Sequence, residues 1–203
     1  MELKDTYNKI ARDWAIDHEH DDWWIKGTEK LISLLPPGAS VLDIGCGAGH
    51  KSMYLSQHGL QVTGADFSEE MIRIAREQVP NAEFKVLDLY EVDTVDKMFD
   101  CVFAQAVLLH IPKKNIAAIL QKIKNLLKEG GLFYFAVKEQ REGTSDERVV
   151  VESDYGYEYE RFFSYFSIPE LEKFLSDAGF AVMYLDVALV AKTRWIEIIA
   201  KKA

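Results

Sequence analysis

Apolar positions along this chain recur with two periods. Leu3, Tyr7, Ile10, Ala11 and Trp14 fall three or four apart, which predicts an amphipathic helix over 3–16. The polar run Asp17-His18-Glu19-His20-Asp21-Asp22 leads into Trp23-Trp24, and a second helix is expected over 28–35, stopped by Pro36-Pro37-Gly38. Short apolar runs then alternate with helical patterns. Strands are expected over 40–45, 61–66, 82–87, 99–105 and 132–137. Helices are expected over 48–58, from an N-cap at Ser68 to Pro80, and over 115–127 before Gly130-Gly131. Strand–helix alternation at this spacing predicts a Rossmann-like, doubly wound parallel sheet with helices on both faces. The period is lost over 138–166. It returns as a helix over 168–178, with Ser167 as cap and Pro169 at its first position, and two strands over 180–187 and 193–200. These two strands form a terminal hairpin that can finish the sheet with one antiparallel strand.

Composition narrows the picture. The 203 residues are 48% hydrophobic, enough for one domain. Its expected parts are a helical cap (1–37), a binding core (38–137), an insertion (138–166) and a terminal helix and hairpin (167–203). A net charge of −9 argues against a nucleic-acid partner. Two cysteines, Cys46 and Cys101, suggest neither a disulfide framework nor a zinc site. With no apolar stretch near ~18 residues and no secretory pattern at the start, a cytoplasmic protein with no membrane partner is expected. His18, His20, Asp21 and Asp22 are spaced too loosely for a metal site and read as a solvated connection.

The stretch Val41-Leu42-Asp43-Ile44-Gly45-Cys46-Gly47-Ala48-Gly49 carries the chemistry. A buried strand ends in alternate glycines, and a helix begins behind them, so a ligand can approach the backbone at the helix N-terminus. The dinucleotide fingerprint G-x-G-x-x-G would place its third glycine at 50. Here His50 stands there and the third glycine comes early, at Gly49. Asp43 lies inside the strand ahead of the turn.

The pattern Asp43-Gly45-Gly47-Gly49 resembles motif I of the class I S-adenosylmethionine-dependent methyltransferases, small-molecule type. Asp66 at the end of the second strand and Leu87-Asp88-Leu89 after the third fit the same family, whose sheet has seven strands. The resemblance implies S-adenosyl-L-methionine as cofactor. The amides of Gly45, Cys46 and Gly47 would approach its methionine portion, and Asp43 would hold those amides or reach the ammonium through water. Asp66 would accept the ribose hydroxyls, Phe67 would lie on the adenine, and Asp88 with the Leu89 amide would read its edge. Gln105 would lie under the methionine end. As plain structure, Asp43 would cap the turn, Asp66 would cap the helix over 68–71 and Phe67 would be core.

The acceptor side is expected from the aromatic cap and the insertion: Tyr7, Trp14, His110, Arg161 and Tyr165. His110 could orient or deprotonate an acceptor, or simply bond backbone. Arg161 could pair with an acceptor carboxylate, or balance Glu158 and Glu160. Methyl transfer by in-line displacement needs placement and dryness more than a catalytic triad. The expected activity is therefore methylation of an O, N or S atom of a small metabolite, with the acceptor and the oligomeric state left open. The alternatives are a non-catalytic cofactor-binding protein, a methyltransferase acting on protein or RNA, and a nicotinamide oxidoreductase, which His50 disfavours.

Overall fold

A computed structural model describes residues 2–203. Its centre is a seven-stranded sheet in the order β3-β2-β1-β4-β5-β9-β8. The first five in that order are Glu83–Val86, Gln61–Asp66, Ser40–Ile44, Phe99–Gln105 and Leu127–Lys138, all parallel. The last two are Thr193–Lys202 and Phe180–Val190. β9 runs antiparallel to both β5 and β8, so it is the one reversed strand. The closing hairpin thus plays the part expected of it.

The central strands read as apolar runs because both faces are covered. Val102, Phe133, Phe135 and Ile198 face α5 (Lys113–Leu126) and α6 (Ile168–Asp177). Val41, Phe103, Tyr134 and Ile199 face Leu31 of α2 (Ile25–Ile32) and Leu55 of α3 (His50–Gln57). Local chemistry sets the helix starts. Ser68 caps α4 (Glu69–Gln78) by accepting from Met71 N–H at 3.2 Å. Ser167 and Glu170 form a reciprocal box at α6.

Some element ends shift. α2 begins at Ile25, because turn bonds from Ile25 to Asp22 and from Thr28 to Trp24 wind it one turn early. α3 begins at His50, since Gly49 (φ +92°) belongs to the turn. Pro169 is the second helical residue of α6, after Ile168. Gly130-Gly131 do not end α5. The helix passes directly into β5 at Leu127, and the glycines form an irregularity within that strand. A side chain on Gly131 would meet the Lys128 carbonyl at 2.9 Å.

The aperiodic insertion is structured. Glu147–Glu152 (β6) and Tyr159–Ser164 (β7) pair as an antiparallel ribbon outside the main sheet. It docks on the cap helix α1 (Leu3–Asp17): Thr6 Oγ1 donates to the Glu160 carbonyl at 3.0 Å and Tyr157 Oη to Asp13 at 2.7 Å. The ribbon and α1 cover the carboxyl ends of the strands. β1 lies between β2 and β4 there, which is where an open α/β sheet leaves a crevice. No helix among the described residues is long and apolar enough to cross a membrane.

Candidate functional site

The crevice holds a cavity of about 440 Å³ floored by the glycine turn and roofed by α1 and the ribbon. The turn is pinned from inside. Gly45 and Cys46 both donate to the Ala65 carbonyl, at 2.7 and 3.1 Å, and Gly47 donates to Asp66 Oδ2 at 3.0 Å. The expectation that these amides face a ligand is therefore corrected. Buried donors take internal acceptors, and here β2 supplies them. Gly45 (φ +68°) is required twice, by its left-handed backbone and by Val107, whose Cγ2 would lie 2.3 Å from any Cβ. Gly49 does not line the cavity. It lets α3 pack on α4, since a Cβ there would sit 3.1 Å from that of Ala75.

Three carboxylates, all at carboxyl ends of strands, face the space. Asp43 is 1% exposed and accepts from Ser52 Oγ of α3 at 2.5 Å, so it braces the helix and does not hold the turn's amides. Burial raises its pKa to about 7, the nearby Asp66 charge adds to this, and the Ser52 bond and Lys51 pull it back. Asp66 accepts from Gly47 N–H with one oxygen and from Ser68 N–H, at 2.8 Å, with the other. It thus ties the turn to the start of α4, as the capping reading foresaw, and each oxygen keeps a further lone pair. Burial again dominates, raising its pKa to about 6. Asp88 caps the short 3-10 turn Leu89–Thr94 by accepting from Tyr90 N–H at 2.8 Å. As first residue of that turn, Leu89 has an N–H with no intrahelical acceptor. Phe67 lines the cavity beside Tyr7, with ring centroids 5.7 Å apart.

Gln105 ends β4 with both amide atoms buried and unpaired, an arrangement that costs free energy until a ligand or water meets it. Ala106 follows at φ +57°, a strain of roughly 1–3 kcal/mol held where β4 turns over the site. Lys51, which the sequence reading missed, lines the cavity near Asp43 and Asp21.

On the roof, His110 Nδ1 lies 2.7 Å from the Phe162 carbonyl and Nε2 lies 2.8 Å from Tyr7 Oη. A carbonyl can only accept, so Nδ1 carries the hydrogen and Nε2 accepts from Tyr7. Burial lowers the His110 pKa to about 3, and the Arg161 and Lys138 charges push the same way. His110 is thus a neutral imidazole with both nitrogens used. Arg161 donates to Tyr7 Oη at 3.3 Å and forms a two-bond pair with Glu152, not with Glu158 or Glu160. Trp14 stacks on His18 at 4.2 Å, and a Cβ on Gly47 would lie 3.2 Å from its ring. Tyr165 lies outside the cavity lining, its hydroxyl accepting from the Arg148 guanidinium. Lys138, Phe163 and Trp195 line the cavity but were not anticipated. Lys138 ends β5, and its place at a strand's carboxyl end was the one available signal. Phe163 and Trp195 carried none that separates them from core aromatics.

The carboxylate-lined crevice lies at the switch point of a doubly wound sheet, the place where open α/β sheets bind ligands. Residues 41–131 match the family described as methyltransferase domain. Similar curated proteins include the 2-methyl-6-phytyl-1,4-hydroquinone methyltransferase of Synechocystis, 34% identical over 115 residues (55% of this chain, 36% of that protein). The ubiquinone biosynthesis O-methyltransferase of Glaesserella parasuis is 30% identical over 157 residues (65% and 61%). The chain thus spans between about a third and three fifths of the relatives it matches. In fold it is similar to 1,6-didemethyltoxoflavin-N1-methyltransferase of Burkholderia thailandensis, solved with S-adenosylhomocysteine, at TM-score 0.78 and 21% identity (99% of this chain, 87% of that one). The magnesium protoporphyrin IX methyltransferase of Synechocystis gives 0.74 and 19% (99% and 95%). Residues 41–131 are thus similar to a methyltransferase domain, and the chain shares the fold of solved S-adenosylmethionine-dependent methyltransferases.

Proposed function

We propose that this chain is an S-adenosylmethionine-dependent methyltransferase acting on an O, N or S atom of a small metabolite. One observation carries the reading: the turn's amides are spent internally, while Asp43, Asp66 and Asp88 face the cavity. Such a floor repels a pyrophosphate and suits a nucleoside that bears positive charge. The unpaired Gln105 amide adds a donor and an acceptor that a ligand's amino-acid end would use.

When bound, S-adenosylmethionine supplies a methyl group on a positively charged sulfur. The chain's own residues hold and shield. Asp66 would offer its remaining lone pairs to ribose hydroxyls. Phe67 would provide an adenine face, while Asp88 and the Leu89 amide would meet the adenine edge. Lys51 would serve the cofactor's carboxylate. Tyr7, Trp14 and the ribbon exclude water and set the acceptor's approach, which is where most of the rate enhancement of such a transfer would arise. His110 acts by holding Tyr7 and not as a base, because its Nε2 is occupied and its pKa lies far below neutrality.

We assign the cap (1–37) and insertion (138–166) to the acceptor, and residues 38–137 to the cofactor, with residues 167–203 completing the sheet. The four similar proteins named above carry small-molecule names, which supports a small acceptor, and the acidic composition supports the absence of a nucleic-acid partner. Calorimetry with S-adenosylmethionine and S-adenosylhomocysteine tests the reading. Binding of both is expected, with label transfer from methyl-labelled cofactor into a metabolite extract. Absence of binding at millimolar concentration overturns it.

A further inference from the structure

The roof of the cavity carries a cation that no carboxylate contacts directly. Lys138, the last residue of β5, lines the cavity, and no carboxylate oxygen among the described residues lies within 4.0 Å of its Nζ. Its ammonium instead lies 3.9 Å from the Phe163 ring centroid and 5.7 Å from that of Trp195. Aromatic faces attract a cation but offer its N–H hydrogens only weak acceptance and no compensating negative charge. The neighbouring guanidinium does not share this state, because Arg161 is paired with Glu152. With Arg161 so paired, Lys138 is a positive charge of the roof without a carboxylate partner, inside a chain whose overall charge is −9.

The walls beside it are flat and apolar. Trp195 stacks on Trp23 at 4.4 Å, and Phe163 and Tyr7 close the other side. Resting on the methyltransferase reading, we infer that Lys138 is the anion-binding residue of the acceptor subsite, and that the acceptor is a small aromatic molecule bearing a carboxylate. Burial lowers the Lys138 pKa to about 8, and the Arg161 and Arg148 charges add to this against Glu152. A bound carboxylate would reverse that cost. The carboxylate would anchor the acceptor at β5, leaving its reacting atom to point toward the strand ends where the cofactor lies.

Benzoate and benzamide, equal in shape and unequal in charge, serve as probes. Protein loaded with S-adenosylhomocysteine is titrated with each, and binding is followed by ligand-observed NMR. The loaded wild-type protein should prefer benzoate by about tenfold or more, the worth of one charge-assisted contact. Lys138→Met should bring the two probes within about twofold of each other, and Lys138→Arg should keep most of the preference, with S-adenosylhomocysteine affinity unchanged in both. Equal binding by wild type, no binding of either probe at millimolar concentration, or a preference that survives Lys138→Met overturns the inference. Should S-adenosylhomocysteine itself not bind, the methyltransferase reading falls. The same probe comparison on the ligand-free protein then decides the anion site separately.

Discussion

The floor and roof of the cavity are built on opposite principles. The floor is rigid backbone and acid: three strand ends, a turn whose amides are consumed internally, and carboxylates with raised pKa values. The roof is side chain and base: a cap helix and a ribbon joined through Tyr7, His110 and Arg161, with Lys138 of β5 beside them. The floor's geometry follows from the sheet, whose strands and turn hold one another by internal hydrogen bonds. The roof's geometry rests on a few long-range hydrogen bonds, so its specificity can vary without disturbing the sheet. A shared cofactor and divergent acceptors are the expected consequence.

Removing Asp66 should separate the two halves most sharply. Asp66→Ala deletes the acceptors of Gly47 and Ser68 N–H as well as those offered to a ribose. S-adenosylhomocysteine affinity should fall about a hundredfold, as expected for losing two or more contacts to a charged group. The benzoate preference of ligand-free protein should persist. Calorimetry showing unchanged affinity would remove Asp66 from the cofactor site.

Asp43→Asn should have a smaller effect, with opposite signs for binding and stability. The folded pKa of about 7 exceeds the ordinary 3.8, so the folded state holds this proton more tightly than the unfolded chain. The linked stability is complete below the ordinary value and is lost as pH rises through about 7. At pH 8 an asparagine, which can still accept from Ser52, avoids that loss. The ligand-free variant should melt a few degrees higher, while its S-adenosylhomocysteine affinity falls about tenfold. A lower melting temperature together with full affinity would make Asp43 purely a brace for α3.

The same charges give the halves opposite pH slopes. Between about pH 6 and 8 the floor gains negative charge as Asp66 and then Asp43 ionise, with Lys51 and Asp88 as charged neighbours. Affinity for S-adenosylhomocysteine should rise severalfold. Benzoate affinity should fall above about pH 8 as Lys138 loses its proton among Arg161, Arg148 and Glu152, with His110 neutral throughout. Parallel slopes in a calorimetric pH series would mean that one group governs both ligands.

The floor was largely legible in the sequence, because it depends on short-range patterns. Asp43, the glycines and Asp66 sit at fixed distances from strands that announce themselves as apolar runs. What the pattern could not give was the direction of the turn's amides, since their acceptor, the Ala65 carbonyl, lies on a different strand. The roof was mostly illegible. Nothing local marks 147–152 and 159–164 as paired, since β6 turns Val149 and Val151 to solvent and does not carry a clean buried face. Lys138 acquires its meaning only from Phe163 and Trp195, which the fold brings to it from two other elements. Arg161 was singled out, but its partner Glu152 lies across the ribbon, and only the hairpin register reveals the pair.

The mildest substitution bears on how far the roof is independent of the floor. Tyr7→Phe removes one oxygen and nothing else. It deprives His110 Nε2 of its donor and Arg161 of an acceptor, leaving a buried imidazole nitrogen unsatisfied. The expected loss is about 1–2 kcal/mol of unfolding free energy, the usual penalty for an orphaned buried acceptor. His110 cannot escape that penalty near neutral pH by taking a proton, because burial and the Arg161 and Lys138 charges hold its pKa near 3. Since the Tyr7 hydroxyl bonds His110 and Arg161, both of the roof, S-adenosylhomocysteine affinity should stay within about twofold of wild type. Denaturant unfolding and calorimetry on the one variant measure both quantities. A large affinity loss at unchanged stability would place the Tyr7 hydroxyl on the cofactor, so that the cap would belong to the floor and not to the acceptor.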